Sequence, residues 1–154
     1  MTGFPDWLVP VNISRQELAE ITNRPRYGAA VSLFVVRSIT LDGSQPIWNI
    51  AGRGMIYGGW LSAKSTELID EDAPELYVDG DLVENLAFQD IHSFNNIHPD
   101  TSPYFLSHYD RVNFRSTIAI VYGYTFESSL EFRYFRTSSS TVAINALIFY
   151  ALIT

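Results

Sequence analysis

The sequence predicts an all-β fold, an antiparallel β-sandwich, with an extended N-terminal arm and one short helix. We favour a jelly-roll-like topology, with an immunoglobulin-like sandwich as the alternative, because a sequence does not show the strand order. From residue 30 onward, β-branched and aromatic residues cluster in about eight short runs, and turns of Gly, Pro and Asp-Gly separate the runs. Hydrophobic residues make up 47% of the 154 residues, which is enough for one domain to bury a full core. We therefore divide the chain into an arm with a short helix, residues 1–29, and a sandwich domain, residues 30–154.

The arm has a different pattern from the rest of the chain. Its opening, GFPDWLVPVNI, contains two prolines and is expected to be extended. The next segment, ISRQELAEIT, predicts a short helix, because Ser14 is a suitable N-cap and Glu17, three residues on, completes a capping box. A unit of this size cannot fold alone, so we expect it to dock on its own sandwich or on a neighbouring subunit.

The strand patterns differ along the sandwich domain. ELYVDGDLVE predicts a hairpin with its turn near Asp79-Gly80, and SLEFRYFR alternates as a half-buried strand does. The four glycines of GRGMIYGG indicate bulges or close backbone approach, since neither a dinucleotide fingerprint nor a P-loop fits their spacing.

The last run, STVAINALIFYALIT, is apolar at both parities. We assign to one face Val142, Ile144, Ala146, Ile148 and Tyr150, and to the other Leu147, Phe149 and Ile153. Such a strand lies between two layers or in a subunit interface. It covers about eleven residues, whereas a membrane-spanning helix needs about 20, so we expect a strand and no membrane span.

Charge and composition exclude several classes of protein. The net charge of −7 disfavours nucleic acids and anionic membranes as partners, because an acidic surface repels phosphate. The absence of cysteine excludes disulfides, thiolate metal sites and cysteine nucleophiles. No serine stands in a nucleophile-elbow context. We expect no enzymatic activity and no cofactor.

The segment QDIHSFNNIHPDTSPYFLSHYD, residues 89–110, holds all three histidines. One hypothesis is a metal site, and with it a metal-dependent enzyme, built from His92, His98, His108 and Asp100. The spacing matches neither a helical HExxH motif nor a close H-x-H pair. Because Asn, Pro and Ser dominate the segment, we interpret it as a non-helical loop packed against the protein or a partner.

Residues 67–84 contain eight of the seventeen acidic residues. We interpret the DEDAPE portion as a solvated loop. A calcium site is the alternative, but the spacing of an EF-hand loop is missing.

The tryptophans allow two interpretations. Trp7, Trp48 and Trp60 suit a core or an interface, where aromatic residues dominate. Trp48 and Trp60 are also the candidate ligand-binding residues of an alternative function, a carbohydrate- or receptor-binding module.

Four segments cover about half of the chain: the proline-rich arm, IAGRGMIYGGWLSA, LYVDGD and SLEFRYFRTSSSTVAINALIFYALI. Together they resemble the small β-sandwich structural proteins of bacteriophage virions. The resemblance implies a non-enzymatic subunit of a capsid, vertex or tail, assembled in the host cytoplasm and located in the virion. Its partners would be further copies of itself, in a symmetric homo-oligomer, and other virion proteins. The predicted self-assembly residues are Trp7, Leu8, Tyr104, Phe105, Tyr109, Leu147, Phe149 and Ile153.

Overall fold

A computed structural model describes residues 27–93, 102–121 and 123–153. The predicted arm and its helix therefore lie almost entirely outside the described residues, and so do Trp7, Leu8, His98 and Asp100. The described residues form ten strands and one helix. In chain order these are β1 Val31–Ile39, β2 Gly43–Ala51, β3 Gly54–Ser65, β4 Ala73–Val78, β5 Asp81–Glu84, α1 Phe88–Ser93, β6 Tyr104–Asp110, β7 Arg115–Ile120, β8 Thr125–Phe126, β9 Ser129–Arg136 and β10 Val142–Leu152.

The strands form two antiparallel sheets. The larger sheet has the order β1-β10-β3-β7-β6, with β8 also pairing with β3, and the smaller sheet has the order β2-β9-β4-β5. With β6 and β8 set aside, the first and last strands are neighbours, and successive strands alternate between the sheets except at the β4-β5 hairpin, which lies within the smaller sheet. This is the strand order of a jelly roll. The predicted antiparallel sandwich is confirmed.

Alternation along each strand builds the core between the sheets. In β9, Leu130, Phe132 and Tyr134 are buried while the residues between them face outward, as predicted. The ring of Phe132 stacks on that of Trp48 from β2, with centroids 4.5 Å apart and planes 7° from parallel. From the opposite sheet, Tyr104 meets Phe132 edge-on. Aromatic packing therefore joins the two layers at the centre of the sandwich.

Close backbone approach explains two of the glycines in β3, as predicted. A side chain at Gly59 would overlap the carbonyl oxygen of Leu147 on β10, and one at Gly54 would overlap that of Ala151. The register between β3 and β10 also shifts between Phe149 and Tyr150, which marks the predicted bulge.

The acidic segment is not the solvated loop that we predicted. Its residues Asp70, Asp72 and Glu75 are buried, because each carboxylate has partners from another strand. The partners are Tyr109 and Arg111 for Asp70, Tyr134 and Arg136 for Asp72, and Ser44 and Arg133 for Glu75. The buried acids of this segment therefore link it by hydrogen bonds and ion pairs to strands and turns of both sheets.

The hairpin between β4 and β5 is confirmed and is fixed by Asp79, whose φ of 55° and whose neighbour Gly80 make the turn. The Asp79 carboxylate accepts hydrogen bonds from the backbone N–H groups of Glu127, Ser128 and Ser129, at 2.6–3.1 Å. These bonds lower the pKa of Asp79 to about 2, because they stabilise the ionised form. The turn is thus fastened to the loop between β8 and β9.

We expect Asp79→Asn to lower the melting temperature at pH 7. Asparagine tolerates the positive φ of this turn but replaces a charged acceptor with a neutral one. The folded pKa is about 2 and the ordinary value is 3.8, so the stabilisation is complete above 3.8 and is lost as the pH falls toward 2. Thermal unfolding across this range should show the wild type and the variant converging at acid pH. Asp81→Asn, which removes the same charge nearby, is the control, and an equal effect of both variants at all pH values would contradict the role of Asp79.

Candidate assembly surface

The outward face of the larger sheet carries a continuous row of apolar side chains. The strand register places Phe34 opposite Leu147, Leu147 opposite Trp60, Trp60 opposite Ala119, and Ala119 opposite Phe105. We call these five residues the outer apolar row. It crosses β1, β10, β3, β7 and β6, which is the whole width of the sheet.

The row follows from the two-residue period of the strands. In β10, Ala146 and Ile148 are buried in the core, so Leu147 between them points away from it. The same alternation in β1 leaves Phe34 58% exposed, and its ring lies 6.3 Å from that of Trp60. One pair further along the same face, Phe149 is 43% exposed. The other four members of the row, Leu147, Trp60, Ala119 and Phe105, are half-buried. A contiguous apolar patch on a surface is a common feature of interaction sites.

A polar row borders the apolar row on one side. The next residues on this face are Asn145 of β10, Ser62 of β3, Thr117 of β7 and His108 of β6. The Thr117 hydroxyl donates to Ser62 Oγ at 3.0 Å. The surface therefore has an apolar strip with a hydrogen-bonded polar margin, which is the common layout of a protein interface.

Three predicted self-assembly residues lie on this face. Leu147 and Phe105 belong to the outer apolar row, and Phe149 lies beside it. Ile153 is half-buried and bridges Tyr27 at the start of the described chain. The sequence therefore identified the β10 and β6 contributions to the surface, while their use in assembly stays a prediction.

Two other predicted interface residues face the interior side of the larger sheet. Tyr104 is fully buried and its hydroxyl donates to the carbonyl oxygen of Pro74 at 2.7 Å, so its side chain packs within its own chain. Tyr109 is half-buried and donates to Asp70 at 2.7 Å. Burial and the Asp70 carboxylate raise the pKa of Tyr109 to about 12.

Of the candidate ligand-binding tryptophans, only Trp60 is accessible among the described residues. Trp48 is 4% exposed and packs flat on Phe132, so it offers no platform for a sugar. Trp60 is half-buried on the outward face beside Phe34.

The histidine segment is partly helical, contrary to our prediction. Phe88 and Ile91 of α1 are three residues apart and therefore lie on the same face of this short helix. Both are buried, so the helix packs against the core through that face. His92 of α1 packs on the ring of Tyr109, 4.7 Å between centroids, whereas His108 lies on the outward face of β6. Within residues 27–93, 102–121 and 123–153, no three His, Asp or Glu side chains come together as a metal site would require.

Sequence reasoning missed three surface residues: Phe34, Ala119 and Val36, which is exposed on β1 opposite Asn145. For β1 a signal was present, because AVSLFVV is apolar at both parities in the same way as β10. Ala119 gave no signal, since its place in the row depends on its pairing with Trp60 and Phe105.

Among the described residues, no helix has the length and hydropathy that crossing a membrane requires. A scan against protein-family models gives no match, and a search of the curated proteins gives none. Among solved structures, the chain is similar to the VP2 subviral particle of infectious bursal disease virus, with 13% identity and a TM-score of 0.28, over 85% of this chain and 42% of that one. The chain thus spans less than half of that protein's length. A TM-score of this size does not establish a common fold, so the jelly-roll assignment rests on the strand order.

Proposed function

We propose that this chain is a non-enzymatic structural subunit that assembles with copies of itself by burying the outer apolar row. The observation that carries the proposal is the row itself, which crosses all five strands from Phe34 to Phe105. Burying such a strip against a second molecule removes apolar surface from water, which is the main driving force of protein association. The polar margin around Ser62 and Thr117 would lie at the rim.

The setting that we propose for this assembly is a bacteriophage virion, as a capsid, vertex or tail-attached protein built in the host cytoplasm. The resemblance of the glycine-rich strand, the LYVDGD hairpin and the last two strands supports it. Jelly rolls occur in viral capsid and lectin domains, so the fold is compatible with a virion role without deciding it. The net charge of −7 would keep the remaining surface soluble and away from a packaged genome.

We expect the purified chain to have a mass that is a multiple of 17.4 kDa, and Leu147→Lys to shift it toward the single-chain value. Leu147 lies in the row between Phe34 and Trp60, and its replacement by lysine puts a charge where apolar surface must be buried. The stem of the lysine can lie along Trp60 with its ammonium in water, so the fold should be retained. Sedimentation or light scattering over a wide concentration range measures the mass.

The control is Val112→Lys, which makes the same change of charge in the exposed turn between β6 and β7. It should leave the mass of the assembly unchanged. A wild-type protein that stays at the single-chain mass at every concentration, with or without candidate virion partners, would contradict the proposal.

A carbohydrate- or receptor-binding function has one observation in its favour. The Phe34 and Trp60 rings lie side by side on the outward face, at 58° to each other, and aromatic rings of this kind can stack on sugars. A glycan array separates the two functions. Binding by the wild type that is lost in Trp60→Ala, in a protein of single-chain mass, would favour the binding module over the assembly subunit.

A further inference from the structure

We propose that β1 pairs antiparallel with β1 of a second copy, about a two-fold axis at Val35, so that two larger sheets continue as one. The inference rests on the proposed self-assembly and identifies one of its contacts. Four strands end the two sheets in the described part of the chain, namely β1 and β6 in the larger sheet and β2 and β5 in the smaller. A strand at the end of a sheet presents unpaired N–H and C=O groups to any other strand that reaches it.

Three of these edges carry features that obstruct pairing. β2 contains Pro46 and a register shift beside it. β5 has only four residues, with an acidic residue at each end. β6 has a register shift after Leu106 and ends at Asp110. Prolines, charges, bulges and short length are the usual means by which proteins protect sheet edges.

β1 lacks this protection. It pairs with β10 through nine consecutive residue pairs without a shift, and it contains no proline. Its one charged residue, Arg37, donates to the Pro46 carbonyl oxygen at 2.9 Å and so is directed toward β2. Val36, at 66% exposure, and Phe34 project from the outward face of this unobstructed edge.

The sequence of β1 is complementary to itself when the axis passes through Val35, the middle residue of the strand. Phe34 then lies opposite Val36 of the second copy, and Val36 lies opposite Phe34 of the second copy. Residues directly opposite each other in an antiparallel pair project from the same face, so the two outer apolar rows meet at the join. Arg37 lies opposite Leu33 of the second copy, so no like charges are opposed. A contact that uses the same patch on both molecules is what a two-fold dimer requires.

The other occupant to consider for this edge is the segment 1–26 of the same chain. Its sequence has prolines at positions 5, 10 and 25, each of which lacks the N–H that a new ladder needs. Tyr27 already bridges Ile153, and Gly28 donates to the Leu152 carbonyl oxygen. The residues just before β1 therefore lie beside the C-terminal end of β10. The preceding segment would have to reverse its direction to run beside β1. These observations favour a second copy.

A single cysteine tests the register, because the natural chain has none. In Val35→Cys, the two thiols of a pair would face each other across the axis, at a Cα separation of about 4.5–5.5 Å that suits a disulfide. Under mild oxidation we expect a disulfide-linked dimer that reducing agent separates. Val83→Cys on the β5 edge is the matched control, and we expect it to remain mostly a free thiol.

A second variant tests the edge without a crosslink. Val36→Lys places the residue that protects natural edges at an exposed position, so the fold should persist. We expect the protein concentration at half-assembly to rise by about tenfold or more, while Val83→Lys leaves it unchanged. If the wild type assembles but Val35→Cys stays monomeric on oxidation and Val36→Lys assembles normally, the β1 contact is wrong and the proposed function stands. If the wild type does not assemble at all, both fail.

Discussion

Asp72→Ala is expected to lower the free energy of unfolding by about 3–5 kcal/mol, because it leaves a buried guanidinium without a counter-charge. Asp72 and Arg136 are both almost fully buried, and Arg136 Nη1 lies 3.8 Å from Asp72 Oδ2. The Asp72 carboxylate also accepts the Tyr134 hydroxyl at 3.0 Å and the Thr137 N–H at 3.2 Å. Urea unfolding followed by tryptophan fluorescence measures the loss.

The double variant Asp72→Ala/Arg136→Met separates the cost of an unpaired charge from the worth of the pair. Replacing both members of a buried ion pair with apolar groups is often close to neutral, so we expect the second substitution to restore most of the lost stability. The other partners of Arg136, the Ser138 carbonyl oxygen and the hydroxyls of Ser138 and Ser140, belong to half-exposed residues that water can reach. A double variant as unstable as Asp72→Ala would show that the unpaired charge is not the cause.

The pH dependence of this pair is opposite in sign to that of Asp79. Burial raises the pKa of Asp72 above its ordinary value of 3.8, against the opposing effects of the Thr137 N–H and Arg136. The folded state therefore binds the Asp72 proton more tightly than the unfolded state, and this residue adds stability as the pH falls through its folded pKa toward 3.8. The contribution of Asp79 to stability changes only below pH 3.8, because its pKa is lowered. The pH ranges in which the two residues change the stability therefore do not overlap.

Local patterns in the sequence were enough for the strands and turns but not for the network of buried charges. Alternation predicted that Leu130, Phe132 and Tyr134 face inward, and the same period continues to Arg136. Arginine is seldom buried, so we did not predict that Arg136 also faces inward. Its partner Asp72 lies more than sixty residues earlier in the chain. No local signal connects the two.

The candidate surface depended on strand order, which the sequence does not specify. Apolar residues at both parities of β10 correctly indicated that Leu147 and Phe149 face away from the core. That Leu147 lies between Phe34 and Trp60 follows only from the pairing of β10 with both β1 and β3. Pairing between distant strands is decided by how the whole chain buries its apolar surface, so the width of the row became visible only in the folded sheet.

Gly59→Ala is expected to cost about 3 kcal/mol or more, because its new methyl group has no space in the sheet. A Cβ at this position would overlap the carbonyl oxygen of Leu147 and lie 3.0 Å from Ile148 Cα. Both are backbone atoms of β10, so relief requires the central strand pair of the larger sheet to separate. Thermal or urea unfolding measures the effect, and loss of the cooperative transition would agree with the expectation.

Gly43→Ala shows whether this cost comes from the clash or from the loss of a glycine as such. Gly43 has a φ of +86° and no heavy atom within 4 Å of the place that a Cβ would occupy, so alanine there meets only backbone strain, about 1–2 kcal/mol. Gly59 has the opposite properties, an ordinary φ and a blocked Cβ. If the sheet is held by close contact of β3 and β10, Gly59→Ala must be the more damaging substitution. A larger loss of stability from Gly43→Ala than from Gly59→Ala would mean that β10 can move away from β3 at little cost. The outer apolar row would then lie on a deformable strand pair rather than a rigid one.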